Sequence, residues 1–576
     1  MLSYRKLAMC VLGRPFHTGG GIDSPRPASQ RAAAFILTAA MLTTLAAPAF
    51  AGTWYIEDGD ITVKAGETEG TNKVSQGANQ EVEDTDTIIK NREDTASSNT
   101  VTINAEDKND KVEVTLKDVN IDTSSRNKAA VSVTGSGNTT IKLDGDNHLT
   151  GGNGIYSNSS GSLTISGDEN DSLTAQGGDS RNGIYSVSGD VTISGGTVTA
   201  TGGNSTGSYG SGGDGIHSGS LTISGGTVTA TGGGSTGSNG LGGRGICSDS
   251  GGVTISGGTV KATGGNGSDG GSGISSSSGV TVSDGTVTAN GGNGGNVSGD
   301  GIRSDGGVTI SGGTVKAAGG DSKDGYGGDG IRSGGGVTIS GNTVNAAGGN
   351  GGKVGGYGIC SFDRVAISGG TVEAAGGSSG SSNGGSGIYS SVIDLSGSLE
   401  LTAKAGSPNG KALSQKGSEL VLDTIKDKLG PGAKVTATDA DGKVIDQVPI
   451  PRPVEPEGPV IPEESSSSSD GGSAAPSAPA FSLPGLTVTD KDGQRISYTS
   501  TQSGNTLTVC VGRLTASFRI SLAALRQLRA EGIEAITFQT ILCSTTLSVD
   551  ELLAMGGEDA EAVLTHRFTD SSLTVG

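Results

Sequence analysis

The sequence is poor in the residues that several common functions require. Its 576 residues carry a formal net charge of −20 at pH 7, without a basic excess. Nucleic-acid-binding proteins need a basic face, so this balance argues against nucleic acid as a partner. It leaves cations, neutral glycans, and acidic glycans bridged by a cation as compatible partners.

Histidine is also scarce, with four residues in the whole chain. His217 is the single histidine inside the regular repeat described below, and no Ser/His/Asp set or paired-carboxylate cleft can be recognised from spacing. A lone exposed histidine is usually an ordinary surface residue. We therefore predict a protein that is not an enzyme.

Long apolar runs are missing outside residues 32–47, which follow Arg31. Ala49-Phe50-Ala51 then resembles a signal-peptide cleavage site, so residues 1–51 are predicted to be a signal peptide; an uncleaved anchor helix is the alternative. No later run reaches 18 apolar residues, so the mature chain is predicted not to span a membrane. The expected location is secreted or cell-surface.

Glycine is abundant instead, with 106 residues, and much of it belongs to a repeat. A Gly-Ile-X-Ser signature recurs from Ile155 to Ile388 at steps of 28 to 32 residues. A period of this size is typical of a solenoid, a propeller or an array. Glycine-rich disorder is the rival interpretation, but a disordered segment has no reason to keep β-branched residues in step.

Each repeat contains three short alternating runs: Gly-Ile-X-Ser, Val-Thr-Ile-Ser and Thr-Val-Thr-Ala. In the second repeat, Val191, Ile193, Val198 and Ala200 therefore share one face of the strands. Helical patterns are lacking, which excludes leucine-rich and ankyrin repeats, and about 28 residues are too few for a propeller blade. An all-β parallel β-helix follows, with three strands per coil and an interior thin enough for 3% aromatic residues.

The composition divides the chain further. Residues 52–150 are predicted to be an irregular N-terminal cap followed by entry coils, and 151–447 the regular β-helix coils and a C-terminal cap. Residues 448–480 have the Pro/Ser-rich composition of a linker. Residues 481–576 are predicted to form a small α+β domain, with a helix at 522–530 and a second short helix after Ser548. This domain is expected to bind another protein or the cell envelope.

The cysteines are not expected to cross-link the repeat. Cys247 and Cys360 occupy the same position four coils apart, roughly 19 Å at about 4.8 Å per coil, which exceeds the limit of about 7 Å for a disulfide. Cys510 and Cys543 lie in the last domain, and the sequence leaves their pairing open.

The variable residue of Gly-Ile-X-Ser should point outward and form a column on the surface. Tyr156 and Tyr185 could stack on sugar rings, and Arg303 and Arg332 could bind uronate carboxylates as bidentate forks, with His217 between them. The alternative is a solvated face whose positions tolerate any residue. The column consists of Tyr156, Tyr185, His217, Cys247, Ser275, Arg303, Arg332, Cys360 and Tyr389.

Asp300 and Asp329 share the Asp-Gly-Ile position on neighbouring coils. Two carboxylates about 5 Å apart repel each other unless a cation lies between them, so they are the candidate calcium ligands. The alternatives are that each Asp forms a local turn, or that Arg303 and Arg332 neutralise the pair.

Three segments carry a resemblance to a known family. They are 114–121, 140–147, and the repeated Gly-Ile and Thr-Ile-Ser-Gly-Gly-Thr-Val-Thr-Ala units, and the resemblance extends over roughly 52–406. The chain resembles a bacterial family of secreted carbohydrate-binding proteins. The resemblance implies a right-handed parallel β-helix like that of polysaccharide lyases, binding of cellulose or acidic pectin-type polysaccharide, and calcium ions on the helix.

The sequence therefore predicts a secreted, non-catalytic protein that binds cell-wall polysaccharide along one β-helix face with calcium as a candidate cofactor. The second hypothesis is an adhesin or rigid surface spacer. The third is a polysaccharide lyase.

Overall fold

The computed structural model describes residues 51–450 and parts of the C-terminal unit: 485–489, 495–496, 498–503, 505–511, 515–540, 544–555, 560–566 and 571–575. The predicted signal peptide and most of the predicted linker lie outside the described residues. The chain divides into two units, 1–456 and 457–576.

The first unit is a parallel β-solenoid with three faces, as the repeat predicts. Each coil passes through face A (the Gly-Ile-X-Ser run), face B (Val-Thr-Ile) and face C (Thr-Val-Thr-Ala), and each strand pairs in parallel with its copy one coil later. The partners keep the sequence register, so that Ile184 aligns with Ile216, Val191 with Leu221 and Thr197 with Thr227.

The strands of face A begin in the first coil that the structure describes. They are Ile61–Ala65, Val101–Ala105, Val131–Gly135, Ile155–Ser157, Ile184–Ser186, Ile216–Ser218, Ile246–Ser248, Ile274–Ser276, Ile302–Ser304, Ile331–Ser333, the first parts of Ile359–Ala375 and Ile388–Leu395, and Leu413–Gln415.

Faces B and C merge in several coils. The strands of face B are Thr53–Tyr55, Ile88–Lys90, Lys111–Lys117, Asn138–Asp144, Leu163–Ser166, Val191–Ile193, Leu221–Ile223 and Gly307–Ile310. The strands of face C are Asn120–Asp122, Asp146–Gly151, Ser172–Gly177, Thr197–Thr201, Thr227–Thr231, Thr314–Ala318, Leu399–Lys404 and Lys434–Thr438. Continuous strands serve both faces at Val253–Thr263, Gly279–Asn290, Val337–Ala347 and Ile359–Ala375.

The merged strands differ from the three separate runs that the sequence predicts. At Ser256-Gly257-Gly258 the register shifts by a bulge while strand geometry continues on both sides. Gly258 has φ +77°, a left-handed conformation that costs glycine nothing. The double glycine therefore bends the strand instead of interrupting it in these coils.

The predicted alternation of apolar and polar residues along each strand determines which side chains form the core. Inward residues such as Ile184, Ile193, Val198 and Ala200 have no exposed surface and stack into one cluster from Ile56 to Ala437. No single coil could bury such small side chains, so stacking supplies the hydrophobic stabilisation. The serine of the signature is also buried, and in several coils its hydroxyl closes the corner, as where Ser276 Oγ donates to the carbonyl of Gly279 at 2.9 Å.

The two ends of the solenoid are closed by antiparallel strands. Asn72–Gln76 covers the first strand of face A, with Asn79–Asp84 outside it; at the other end Ser418–Glu419 covers face A and Val444–Pro449 covers face C. Such caps remove the open edges on which solenoids would aggregate. Short 3-10 helices lie at Ile56–Asp58, Ser124–Arg126 and Leu422–Lys428.

Two predicted boundaries change as a result. The start of the 52–150 region is not an irregular cap, because Thr53–Tyr55 and Ile61–Ala65 already pair in parallel with the following coil. The solenoid also extends past residue 447, since Val448 and Pro449 pair with Val435 and Lys434. Polar composition and proline hid these strands from the sequence analysis.

Between face C and the next face A, seven successive coils make an excursion of five to nine residues. The excursions stack on one another, and we call them the fin. They comprise 204–212, 234–242, 266–270, 293–298, 321–327, 350–355 and 378–384 and include the short strands Gly267–Asp269 and Gly294–Val297.

Two columns of glycine form the neck of the fin, and we call them the glycine seam. Their N–H and C=O groups bond alternately from one column to the other: Gly292 donates to Gly271, Gly299 to Gly292, and Gly320 to Gly299, at 2.8–2.9 Å. The same alternation runs without a break from Gly203 to Gly406. The seam contains Gly203, Gly233, Gly265, Gly292, Gly320, Gly349, Gly377 and Gly406 in one column and Gly213, Gly243, Gly271, Gly299, Gly328, Gly356 and Gly385 in the other.

The described residues of the second unit form two four-stranded sheets and two helices, an α+β arrangement as predicted. One sheet joins Leu486–Thr489, Ala516–Ser521, Glu561–His566 and Ser571–Val575; the other joins Thr499–Ser503, Thr506–Cys510, Ala535–Gln539 and Ser544–Ser548. Helices Leu522–Ala530 and Val549–Met555 pack on a core that includes Phe518 and Phe538. Ser521 Oγ accepts the N–H of Ala524, which confirms the predicted cap.

In the described part of the chain, no helix has the length and apolarity needed to cross a bilayer.

Replacing Gly299 by alanine should destabilise the solenoid strongly. A Cβ built on Gly299 would lie 1.8 Å from the carbonyl oxygen of Gly271, a backbone atom that cannot move without breaking the seam. We expect a loss of about 2–3 kcal/mol or more, measured by urea unfolding. The matched control is Gly295→Ala on the same fin excursion, where the nearest atom is Ser268 O at 3.6 Å. Equal stability of the two variants would contradict the role of the seam.

Candidate functional site

A groove runs along face A of the solenoid, and the fin borders it over most of its length. It consists of three connected depressions of about 430, 640 and 510 Å³. The first two share Asn153 and Arg181, and the second and third share Asp269, Ser272 and Arg303. The groove therefore follows the long axis of the solenoid and crosses successive coils at about 4.8 Å each.

All seven residues predicted from sequence line this groove. Tyr156 lies in the first depression, Tyr185 and His217 in the second, Arg303 in the second and third, and Arg332, Asp300 and Asp329 in the third.

The column of variable residues forms one wall, in the predicted register. Tyr156 aligns with Tyr185, Tyr185 with His217, and Arg303 with Arg332. The rings contact one another: Tyr156 and Tyr185 have centroids 5.7 Å apart, and Tyr185 and His217 meet edge-on at 4.9 Å. The aromatic part of the wall is thus a continuous patch over three coils.

The column is not exposed throughout, which corrects one expectation. Cys247 and Cys360 are 0% and 1% exposed and not surface residues. Both are free and stand four coils apart in register, as the spacing predicted. Burial raises the pKa of both thiols, so they are protonated at neutral pH. Cys510 is also free, and the residue with which its pairing was left open, Cys543, lies outside the described part of the chain.

The floor of the groove is a ladder of side-chain acceptors at the position before Gly-Ile. Asn153 Oδ1 accepts the N–H of Asn182, and Asn182 Oδ1 accepts the N–H of Asp214, at 2.9 and 2.7 Å. Asp214 Oδ1 continues to the N–H of Arg244 at 2.6 Å. Each acidic or amide side chain therefore holds the backbone of the following coil.

Asp300 and Asp329 belong to the same ladder. Asp300 Oδ1 accepts the N–H of Asp329 at 2.8 Å, and Asp329 Oδ1 accepts the N–H of Tyr357 at 2.7 Å. Neither is a local turn of the kind that the sequence left open. Arg332 Nη1 lies 3.4 Å from Asp329 Oδ2, in agreement with the alternative of neutralisation by arginine.

Burial disfavours the charged form of both carboxylates, Asp300 and Asp329. Both are almost inaccessible to solvent, at 6% and 4% exposure. Burial raises the pKa of Asp300, and burial together with the nearby Asp300 raises the pKa of Asp329 to about 7. The guanidinium of Arg332 lowers both but does not cancel the effect.

The fin forms the opposite wall, which the sequence analysis missed. One column of fin residues faces the groove in register across the coils and carries an apolar group in most of them. The column consists of Ser211, Leu241, Asp269, Val297, Tyr326, Val354 and Asn383. Each member stands five positions before the isoleucine of the signature, a constant spacing that could have revealed the column.

A cluster of polar groups lies at the middle of the groove, around the predicted site residue His217. His217 Nδ1 lies 2.8 Å from Asp214 Oδ2 and its Nε2 lies 2.9 Å from Asp249 Oδ2. Cys247 Sγ donates to Asp249 Oδ1 at 3.1 Å, and Arg244 Nε lies 3.4 Å from Asp214 Oδ1.

Comparison with known proteins agrees with the architecture. A model of the beta helix repeat family matches three segments, 221–243, 253–278 and 308–331. Neither the curated proteins nor the solved structures contain a significant match. The repeats and the solenoid together make the chain a parallel β-helix protein.

Neutralising Asp300 should change how stability depends on pH. A carboxyl whose pKa is raised by folding supports stability fully below its unfolded value, near 4, and that support is lost as the pH rises through the folded value, which is about 7 for Asp329 beside Asp300. Asp300→Asn keeps the acceptor for the N–H of Asp329 and removes one of the two charges. We expect thermal unfolding to give a free energy of unfolding about 1–3 kcal/mol higher than that of the unmodified protein at pH 8, and an unchanged one at pH 4.

The control is Asp321→Asn. Asp321 Oδ1 makes the equivalent bond to Asn350 N at 2.6 Å in the fin, but this side chain is exposed. It should alter thermal unfolding little at either pH. An equal gain for Asp300→Asn at pH 4 and pH 8 would contradict the electrostatic account.

Proposed function

We propose that the protein is a secreted, non-catalytic carbohydrate-binding protein that binds a linear cell-wall polysaccharide in the groove between the fin and face A. The observation that carries this proposal is the groove itself. It is long, open and lined in step with the coils by tyrosine, histidine and arginine on one wall and by apolar side chains on the other.

The spacing of the coils along the groove suits a polymer whose units repeat at a similar distance. A chain lying along the axis meets the same column positions at every coil, about 4.8 Å apart. A pyranose ring in an extended glycan advances by a similar distance, so successive sugars can meet successive coils. An extended peptide has a two-residue repeat of about 6.6–6.8 Å and does not stay in step.

The chemistry of the walls supports the same class of ligand. Tyr156 and Tyr185 offer aromatic faces, and Leu241 and Val297 offer apolar surface to the ring carbons of sugars. Arg303 is exposed and free to bind a uronate carboxylate, while Arg332 lies over the ring of Phe362 at 5.4 Å. These groups favour cellulose or an acidic pectin-type polysaccharide.

Calcium assistance at Asp300 and Asp329 stays a prediction. Calcium takes six to eight oxygen ligands, and each of these carboxylates already gives one oxygen to the backbone ladder. The pair supplies too few donors by itself, so the uronates of a bound glycan and water would have to complete the shell.

A rigid adhesin or surface spacer is the second candidate. The unbroken glycine seam and the single core from Ile56 to Ala437 favour a stiff rod. A polysaccharide lyase is the third, because Arg303 and Arg332 stand in the groove beside Asp300 and Asp329. A lyase would release unsaturated products that absorb in the ultraviolet, whereas the proposed binding protein releases none.

Loss of the aromatic wall should weaken glycan binding. Tyr185→Ala removes the ring at the centre of the patch, and we expect affinity to fall about tenfold, the loss of roughly 1.4 kcal/mol. The measurement is affinity electrophoresis of the full chain in gels that contain polygalacturonate, cellulose derivatives or an unrelated glucan, with and without chelator.

Tyr209→Ala is the matched control, since Tyr209 is 81% exposed at the fin and does not line the groove. It should migrate like the unmodified protein. Retardation by none of the glycans would overturn the proposal and favour the spacer. Equal loss in both tyrosine variants would place binding outside the groove.

A further inference from the structure

We propose that Asp214, His217 and Cys247 form a binding site for a divalent transition-metal ion of the zinc type. One ligand atom from each of the three lies within 4.8 Å of the others. Roughly 3.3–3.8 Å separates donor atoms around a tetrahedral zinc, so adjustments of up to about 1 Å bring these three atoms to ligating distance, with water as the fourth ligand.

The donors belong to two adjacent coils of the rigid solenoid. His217 and Cys247 are register partners on face A, so their Cα positions are set by the sheet. Asp214 is held by the floor ladder, in which its N–H donates to Asn182 Oδ1 and its Oδ1 accepts the N–H of Arg244. Its Oδ2, 2.8 Å from His217 Nδ1, is the oxygen left for an ion. A site on such strands is preorganised.

Asp249 can orient the ring of His217, as a carboxylate commonly does for a histidine that binds zinc. It lies 2.9 Å from His217 Nε2 and accepts the Cys247 thiol at 3.1 Å. A histidine that binds zinc through one nitrogen commonly donates through the other to a carboxylate, which orients the ring. Here one ring nitrogen can bind the ion while the other keeps its carboxylate.

The charges of the cluster suit a divalent ion. Two carboxylates and Arg244 together contribute a net charge of −1, and the buried thiol of Cys247 is protonated. When the ion binds, Cys247 forms a metal–sulfur bond and its proton passes to solvent, so the cluster becomes −2 and the ion cancels it. Nitrogen and sulfur donors select zinc, cobalt or copper over calcium and magnesium, which require oxygen ligands.

An ion can reach the cluster from the groove, and the second column cysteine, Cys360, lacks the histidine partner. Asp214 and Cys247 are buried, but His217 and Asp249 line or border the groove of about 640 Å³, through which an ion can enter. Cys360 occupies the same column position without a histidine on the preceding coil, where Arg332 stands instead. It therefore provides a built-in control.

The test uses the full chain after dialysis against chelator, titrated with Co²⁺ as a spectroscopic probe. We expect one equivalent to produce the near-ultraviolet charge-transfer absorption of a cobalt–thiolate bond, with release of one proton. Zn²⁺ should displace Co²⁺, and excess Ca²⁺ should not.

Cys247→Ser should abolish this absorption and weaken binding by about 100-fold or more, whereas Cys360→Ser should leave both unchanged. His217→Gln changes a half-buried ligand of the same site and should weaken Co²⁺ binding similarly. Circular dichroism checks that this variant is folded. Absence of the absorption in the unmodified protein would overturn the proposal. So would an absorption of equal intensity in Cys247→Ser.

Discussion

The structure depends on one constraint: every coil must lie within hydrogen-bonding distance of the next along its whole path, including its excursions. The three faces satisfy this with parallel strands. The fin satisfies it through the glycine seam, where N–H and C=O groups alternate between two columns from Gly203 to Gly406. At this distance a Cβ would overlap a carbonyl oxygen, so the seam tolerates glycine alone. The high glycine content therefore reflects close backbone packing more than flexibility.

The groove is a consequence of the seam. Because the neck is narrow and stacked, the fin stands beside face A as a second wall, and every column of the repeat is presented at a constant interval. Residues that differ from coil to coil then give the groove its local character: aromatic around Tyr185, mixed around His217 and Asp214, and basic with buried acids around Arg332 and Asp329. One scaffold thus carries several distinct microenvironments along a single path.

The floor ladder illustrates how structural and functional roles overlap. Asn and Asp are equivalent as acceptors for the backbone of the next coil, yet only Asp adds charge. Asn153 and Asn182 perform the structural task without electrostatic cost. Asp300 and Asp329 perform it while their raised pKa values record the cost of burying two neighbouring carboxylates. Retaining acids where amides would suffice is consistent with a role in the groove.

The sequence by itself determined the period, the three faces, the inward residues and the outward column with Tyr156 and Arg303, because strand alternation and repeat spacing are local properties. The short helices of the C-terminal unit followed from local caps in the same way. Only the tertiary structure decided that the glycine-rich turns stack into a wall, that Leu241 and Val297 face the groove, and that Cys247 is covered beside His217. These features arise from contacts between residues of different coils, and their geometry exists only once the coils are stacked.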